Sequence, residues 1–560
     1  MKKQIQIMGL ILAFVTLFLV SCSSGEPQTP EETGAGSLPP EVTDDPGNGG
    51  SEVTGSIQYA PDNYNMWDNW YVEVDGVVHL IHLKGLKDGV GYDEEAEAQR
   101  GFGHATSTDL VHWEEQDDIL NVADSDNPYD VDFRYTGSAI YHDGKCYVYY
   151  TMRRWNGQRI GVAVSEDMEN WTEYVGNPVL VPDGRYFITF ESPESGNSTN
   201  EDWPTIDCRD FLVIPDPESD GFLGYFVASA EGDFTSPTAV IGLAYSEDLL
   251  NWEQLGIVYR PNGVSMPEMI DVFEINGTWY MTLTTAKNNG GLNMFSDPYI
   301  SRAQIYASAS SPRGPFVENK EDNVLFGGQY SSGYSARTIM FRDQLRMMYT
   351  DSNGGNSVLS LPKTVGLNED GYLRLFYASD LLDVLRTGSL TTNILAQPST
   401  SFAWNTHGGV WTKSGNSMSI TTDPYSWQAA IFDSISMNME MCFTMEASST
   451  ASSFGIALTN SAAPSVLNDI NHLLVLDREN DRVYLTDSTW ELQNCRYFDF
   501  DDNKEYEIRM LLVGNTIELY INGEFVFNSS ITNTGRNHAG IFANDGSMSV
   551  KDLELYKLES

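Results

Sequence analysis

The chain has 560 residues, with 79 acidic against 32 basic side chains and a formal net charge of −47. That length allows two or three domains of roughly 100–250 residues. The charge argues against any partner recognised through its phosphates, nucleic acid and anionic lipid surfaces included. Aromatic residues make up 12% of the chain, among them 29 Tyr and 12 Trp, which suits a β protein or a sugar binder because flat rings serve as both core and platform.

The chain opens on a targeting segment. Lys2 and Lys3 form a basic start, Met8–Val20 is apolar, and Leu19-Val20-Ser21-Cys22 resembles a bacterial lipobox. The apolar run is short for a membrane span. The expectation is a signal peptide over 1–22, cleaved before Cys22, with Cys22 lipidated; the simpler alternative is a cleaved signal with an incidental cysteine. Residues 23–55 are rich in Pro, Gly, Ser, Thr and acids, so they bury too little apolar surface to offset chain entropy and read as a disordered stalk. The chain is therefore expected in a bacterial cell envelope, touching the membrane through the lipid anchor only. The other cysteines, Cys146, Cys208, Cys442 and Cys495, are too few and too scattered for a disulfide framework.

Beyond residue 55 the apolar period is two. VVHLIHL (77–83), KCYVYYTM (145–152), FLGYFVASA (222–230) and TWYMTLTT (278–285) are short and rich in β-branched and aromatic residues. Asp75-Gly76, Asp143-Gly144 and Asn276-Gly277 are hairpin signals, because glycine accepts the positive φ of the turn. The class is all-β. Ser-x-Asp-x-x-x-Trp is written three times, around Asp109, Asp167 and Asp248, with YASASSPRGPF (306–316) as a weaker fourth copy. Repeats of 50 residues or more, built from short strands, point to propeller blades. The aspartates then cap turns and the tryptophans pack between sheets, a scaffold device. His79 and His82, in one strand-like run, read as structural, and the acid cluster DFDDN (499–503) as solvated charge rather than a calcium site; no metal site or cofactor is expected. From about residue 402 strand signals resume without the motif, and EYEIRMLLVGNTIELYINGEFVF (505–527) alternates as a β-sandwich does. The domains expected are a propeller over 56–385, a linker over 386–401 and a β-sandwich over 402–560.

Three acids stand in apolar or aromatic strand contexts, where a carboxylate is costly without a partner or a task. Asp68 lies between Trp67 and Trp70, Asp210 beside Arg209 ahead of FLVI, and Glu268 in MPEMIDVF. Each alone also reads as a capping acid, and Arg209-Asp210 also reads as a structural ion pair. Together with their surroundings they resemble glycoside hydrolase family 32, the fructan- and sucrose-cleaving enzymes. GHATSTDLVHW (103–113) matches that family's GHAxSxDLxxW, YTGSA (135–139) its FSGSA, Arg209-Asp210-Phe211 its RDP, and EMIDVF (268–273) its ECPDLF.

The resemblance implies a five-bladed β-propeller followed by a β-sandwich. It implies Asp68 as nucleophile, Glu268 as general acid/base and Asp210 as transition-state stabiliser, with Trp67, Tyr135, Ser138 and Arg209 lining the sugar pocket. The partner expected is an oligo- or polysaccharide: a β-fructoside of the levan, inulin or sucrose type, or a related glycan. The sequence departs from the family where WMNDPNG reads NMWDNWY, RDP reads RDF and ECP reads EMI. The polar stretch at 190–204, with Trp203, reads either as a rim over the pocket or as a plain surface loop. Two other readings stay open. One is an inverting arabinan- or xylan-active enzyme like those of family 43; the other is a surface glycan-binding lipoprotein on a decayed scaffold. Sequence leaves the oligomeric state open.

Overall fold

A computed structural model of the chain describes residues 57–559 apart from 88–100, 121–132, 155–156, 190–206, 231–237, 262–266, 287–294, 329–332, 354–355, 393–399, 404–410, 423–425, 433–437, 461–469, 490 and 532–537. The signal segment with Cys22, the stalk, and the loop with Trp203 lie outside the described residues.

Five antiparallel sheets come first in the chain. Their innermost strands are Tyr64–Val74, Phe133–His142, Cys208–Pro215, Glu268–Ile275 and Tyr334–Phe341. Each packs on the innermost strand of the next sheet, and the fifth packs on the first. That closes a ring of five blades. The Asp-Gly and Asn-Gly pairs do what their chemistry predicts. Asp75 and Gly76 have φ of 52° and 82°, Asp143 and Gly144 49° and 77°, and Asn276 and Gly277 53° and 82°, the paired positive values of a two-residue hairpin turn. The fifth blade turns through Arg342 and Asp343, with φ of 50° and 58°, in a sequence that carries no glycine signal.

The three repeated turns are scaffold. Ser107, Ser165 and Ser246 each accept two backbone amide hydrogens through Oγ, at 2.9–3.2 Å. Asp109, Asp167 and Asp248 each accept two more through Oδ1, at 2.7–3.0 Å. The residue following each aspartate has φ of 64–67°. Trp113 and Trp171 donate Nε1–H back to the turn, whereas Trp252 stacks edge-on against Tyr149 and Phe211. The weaker copy occupies the same place in the fourth blade, where Ser311 Oγ accepts the Arg313 amide hydrogen at 3.2 Å.

Two β-layers follow, the first continuous with the sheet of the fifth blade. One runs from Glu524–Ser530 through Thr516–Ile521, Tyr506–Val513, Met439–Met445 and Ser547–Leu558 to Ser417–Thr421 and Thr412–Ser414. The other places His538–Asn544 and Ser453–Thr459 at its centre. Phe443, Met510, Leu519, Ile541, Phe454 and Leu555 fill the space between as one apolar core.

The segment expected as a linker begins as a strand instead. Arg386–Ser389 pairs with Ser547–Leu558, because its backbone completes an otherwise open edge. Propeller and sandwich are joined at the fifth blade, where Phe376 pairs with Glu524. Lys363 Nζ is buried there against Glu518, over the faces of Tyr349 and Phe525 at 4.8 and 5.1 Å.

Candidate active site

All five innermost strands break register at the same height. The breaks fall between Trp67 and Asn69, between Tyr135 and Gly137, opposite Tyr225 to Val227, between Glu268 and Asp271, and between Tyr334 and Arg337. Each is a β-bulge, which bends a strand and re-aims a side chain. The bulged residues are Asp68, Thr136, Asp210, Met269 and Ser335. Four of them hold positive φ: 46° at Asp68, 55° at Asp210, 55° at Met269 and 59° at Ser335. Each such residue costs about 1–3 kcal/mol of backbone strain, and strain of this kind gathers at functional sites.

The repetition builds two tiers around one axis. The residues just before the bulges are Trp67, Tyr135, Arg209, Glu268 and Tyr334. All but the buried Arg209 are partly exposed and form the mouth. The bulged residues beneath them are buried and form the floor. Threonines on the second strands clasp one blade to the next. Thr151 Oγ1 accepts the Asp210 amide hydrogen at 3.1 Å and donates to Thr136 O at 2.8 Å. Thr284 Oγ1 accepts the Ser335 amide hydrogen at 3.3 Å, and Thr350 Oγ1 donates to Asn69 Oδ1 at 3.0 Å.

The three acids singled out in the sequence meet here. Asp68, 7% exposed, receives a hydroxyl hydrogen bond on each oxygen, from Ser335 to Oδ1 and from Thr136 to Oδ2. Glu268 Oε2 accepts the Tyr334 hydroxyl at 3.1 Å. Asp210 Oδ2 accepts the Met269 amide hydrogen at 3.0 Å, which ties the third blade to the strand that carries Glu268. Arg209 donates from Nη2 to Pro267 O at 2.9 Å and keeps Nη1 3.8 Å from Asp207.

Burial dominates the electrostatics. It raises Asp68 above the usual carboxylate range, opposed by the bonds from Ser335, Thr136 and Tyr334 and by the Arg337 charge. It pushes Asp210 up to about 7, opposed by Arg209 and reinforced by the charges of Asp68 and Glu268. Glu268 rises for the same reason, with Asp68 adding to the shift and Arg209, Tyr334 and Arg302 working against it. Neighbouring carboxyl groups that share a low-dielectric floor tend to hold protons between them. An ionised group and a protonated group can then stand side by side near neutral pH.

Trp67 and Tyr135 stand at the mouth and pack on one apolar cluster with Trp70, Phe102 and Tyr150 below. Ser138 is a correction. Its side chain is buried and its Oγ accepts the Val213 amide hydrogen at 3.2 Å, so it fastens the second blade to the third and does not line the pocket. Sequence reasoning missed Thr136, Tyr334, Ser335, Arg337 and Asp271. Asp271 is buried, with Oδ2 accepting the Thr338 amide hydrogen at 2.6 Å. In the alignment of the five inner strands on one another, WDNW, YTGS, RDFL, EMID and YSAR, Thr136 and Ser335 share a column with Asp68 and Asp210, and Tyr334 shares one with Glu268. The histidines noted earlier bond locally: His79 Nδ1 lies 2.9 Å from His104 Nε2, and His82 Nδ1 lies 2.8 Å from Leu83 O.

Comparison with known proteins agrees with this architecture. The chain is 24% identical over 326 residues to a fructan 1-exohydrolase of Bromus pictus, covering 52% of this chain and 48% of that protein; it spans about half the length of the curated relatives it matches. Among solved structures it superposes on a glycoside hydrolase family 32 β-fructofuranosidase of Bombyx mori with a TM-score of 0.62 at 17% identity, covering 90% of this chain and 93% of that one. An exo-inulinase from Aspergillus awamori gives a TM-score of 0.62 at 17% identity, covering 91% and 99%. Both share the fold. The description "Glycosyl hydrolases family 32 N-terminal domain" matches residues 92–348, and "Glycosyl hydrolases family 32 C terminal" matches residues 405–557. The first match starts beyond Asp68, so it is the ring of bulges that sets that acid among the others. With both of the family's domains matched in order over well over half of its residues, the chain belongs to glycoside hydrolase family 32.

Proposed function

We propose that the chain is a retaining glycoside hydrolase that cleaves β-fructosides of the levan, inulin or sucrose type. The observation that carries this reading is that adjacent residues of one inner strand hold the two carboxyl groups: the Ser335 hydroxyl bonds Asp68 and the Tyr334 hydroxyl bonds Glu268. That favours the roughly 5–5.5 Å of a retaining pair over the roughly 6.5–9.5 Å that admits an attacking water.

Asp68, buried and held by two hydroxyls, attacks the anomeric carbon of the fructosyl unit. Glu268, at the partly exposed mouth, donates its proton to the departing glycosidic oxygen. A covalent fructosyl-Asp68 ester results. Glu268, now ionised, takes a proton from water, and that water attacks the anomeric carbon and releases Asp68, so configuration is retained. Asp210 holds sugar hydroxyls, and Arg209, anchored on Pro267 O, offers its remaining N–H groups to them. Trp67 and Tyr135 stack on the sugar. The names of the relatives, among them fructan exohydrolase, β-fructofuranosidase and exo-inulinase, support the β-fructoside as substrate. The family 43-like reading falls with the family assignment, and convergence of the three acids argues against a decayed, purely binding site.

A product screen tests the reading. The mature protein is incubated with sucrose, inulin, levan, arabinan and xylan beside a Glu268→Gln control. Fructose release that disappears in the control supports it; release of arabinose or xylose alone, or of no sugar, overturns it. We also propose that Cys22 carries a lipid that tethers the enzyme in a bacterial cell envelope, a reading supported by the basic start, apolar run and Leu-Val-Ser-Cys sequence. Labelling with a radioactive fatty acid in the producing cell should mark the wild type and leave Cys22→Ala unmarked. An unmarked wild type would refute the anchor.

A further inference from the structure

We propose that Arg337 is a positioning residue for the nucleophile: it braces the two strands whose hydroxyls hold Asp68, and its charge keeps that carboxylate ionised. The inference rests on the reading of Asp68 as nucleophile.

The geometry surrounds Asp68. Arg337 lies two residues beyond Ser335, whose hydroxyl donates to Oδ1 of Asp68. Its Nη2 donates to Gly137 O at 3.4 Å, and Gly137 follows Thr136, whose hydroxyl donates to Oδ2. One guanidinium thus links the fifth blade to the second directly behind both donors. The next residue, Thr338, gives its amide hydrogen to Asp271, which fixes the strand on its other side. Gly137 has no alternative at this point, because a Cβ there would collide with Tyr149 O.

The charge is placed to act over more than one group. Arg337 is 2% exposed, and its Nε and Nη1 have no hydrogen-bond partner among the described residues. A buried guanidinium without matching negative charge is strongly disfavoured. Burial does weaken its hold on a proton, and Asp271, Asp210 and Asp68 counter that in turn. Arg337 is the cation that opposes the burial of Asp68 most. Glu268 is acted on instead by Arg209 and Arg302. The charged and titratable groups around the pair are therefore Asp68, Asp210, Asp271, Glu268, Tyr334 and Arg209, with Asp207 beyond Arg209 and Arg302 beyond Glu268.

This division of partners gives a signature that a merely structural role lacks. The nucleophile must be ionised, so activity falls on the acid side as Asp68 takes up a proton. Removing a nearby cation raises a carboxyl group by about 1–3 pH units. In Arg337→Met the acid limb of kcat/KM should move up by that amount while the alkaline limb, set by Glu268, stays in place. Arg337→Lys keeps the charge and should restore most of the acid limb. An unmoved acid limb in Arg337→Met, or a lysine variant shifted as far as the methionine one, overturns the proposal.

Near-ultraviolet circular dichroism checks that each variant folds, and Arg337→Gln, which can keep the bond to Gly137 O without the charge, replaces a methionine variant that does not. The ionisation is also read without turnover. Infrared titration of the protonated carboxyl band, with the Asp68→Asn spectrum subtracted, isolates Asp68. Its midpoint should rise in Arg337→Met, and an unchanged midpoint contradicts the assignment even if the wild type cleaves no fructoside, the result that would overturn the catalytic reading separately.

Discussion

The inner strands of the first, third and fourth blades contribute the three acids. The inner strand of the fifth blade contributes none, yet it bonds two of them. Tyr334 bonds Glu268, Ser335 bonds Asp68, Thr338 bonds Asp271 and Arg337 sits behind them. The difference teaches that in this ring the side chains that hold Asp68 and Glu268 by hydrogen bonds come from a blade other than their own, whereas Asp210 has its main opposing charge, Arg209, beside it. A carboxylate buried at a bulge is useful only if a neighbouring strand supplies the hydrogen bonds and charge that balance its desolvation. The fifth blade is also the one that merges with the sandwich, through the Phe376–Glu524 pairing and the buried Lys363–Glu518 pair, so the strand that tunes the acids has the firmest support behind it.

The sharpest contrast comes from deleting one function on each kind of strand. Glu268→Gln on an acid strand should lower kcat/KM by about 10²–10⁴-fold, measured as fructose release from sucrose or inulin, with the melting temperature unchanged or raised because a half-buried carboxyl group with a raised pKa has gone. Lys363→Met, behind the fifth blade, should leave Glu518 buried and unpaired and cost about 3–5 kcal/mol of stability, read by denaturant unfolding. Adding Glu518→Leu should recover much of that loss. Tyr334→Phe, on the fifth strand itself, removes one hydrogen bond to the protonated Glu268, about 0.5–1.5 kcal/mol, so kcat/KM should fall by about 2–10-fold. The smallest effect belongs to Ser138→Ala. It should cost about 1 kcal/mol of stability through the lost bond to the Val213 amide and leave KM unchanged; a raised KM would return Ser138 to the sugar pocket.

The pH dependence follows from the same balance. On the proposed mechanism Asp68 must be ionised and Glu268 protonated for the first step. Burial raises both, so the acid limb of kcat/KM should lie above the ordinary aspartate value and the alkaline limb above the ordinary glutamate value. Asp210, pushed up to about 7, adds a negative charge beside both groups as pH rises through neutrality. A profile that stays flat from pH 4 to 8 would contradict this picture.

Much of the scaffold was legible in the sequence for stated physical reasons. Alternation with a period of two, glycine at positive φ in the hairpins, and Ser-x-Asp-x-x-x-Trp turns that satisfy four backbone amides are all local chemistry. The acids were legible because Asp68, Asp210 and Glu268 stand in apolar strands, where a carboxylate is conspicuous. Thr136, Tyr334 and Ser335 were not, because a hydroxyl in a strand is ordinary and nothing local says that it faces an acid. The bulges themselves are backbone events without a sequence code, and they explain the misreading of Ser138. One extra residue at Thr136 reverses the alternation beyond it, so Ser138 turns to the neighbouring blade and not to the axis. Arg337 was passed over for a similar reason, since its partners are distant in sequence and reach it only across the ring.

The central claim, that Asp68 and Glu268 meet as a retaining pair, is tested most directly by trapping. A β-fructosyl substrate with a fluoride leaving group is mixed with Glu268→Gln, which cannot activate water, and the quenched protein is digested for mass spectrometry. The account predicts one fructosyl unit attached to the peptide that contains Asp68, and none when Asp68→Asn is added. An adduct elsewhere, or turnover by the wild type to a product of inverted configuration with no adduct at all, would contradict it.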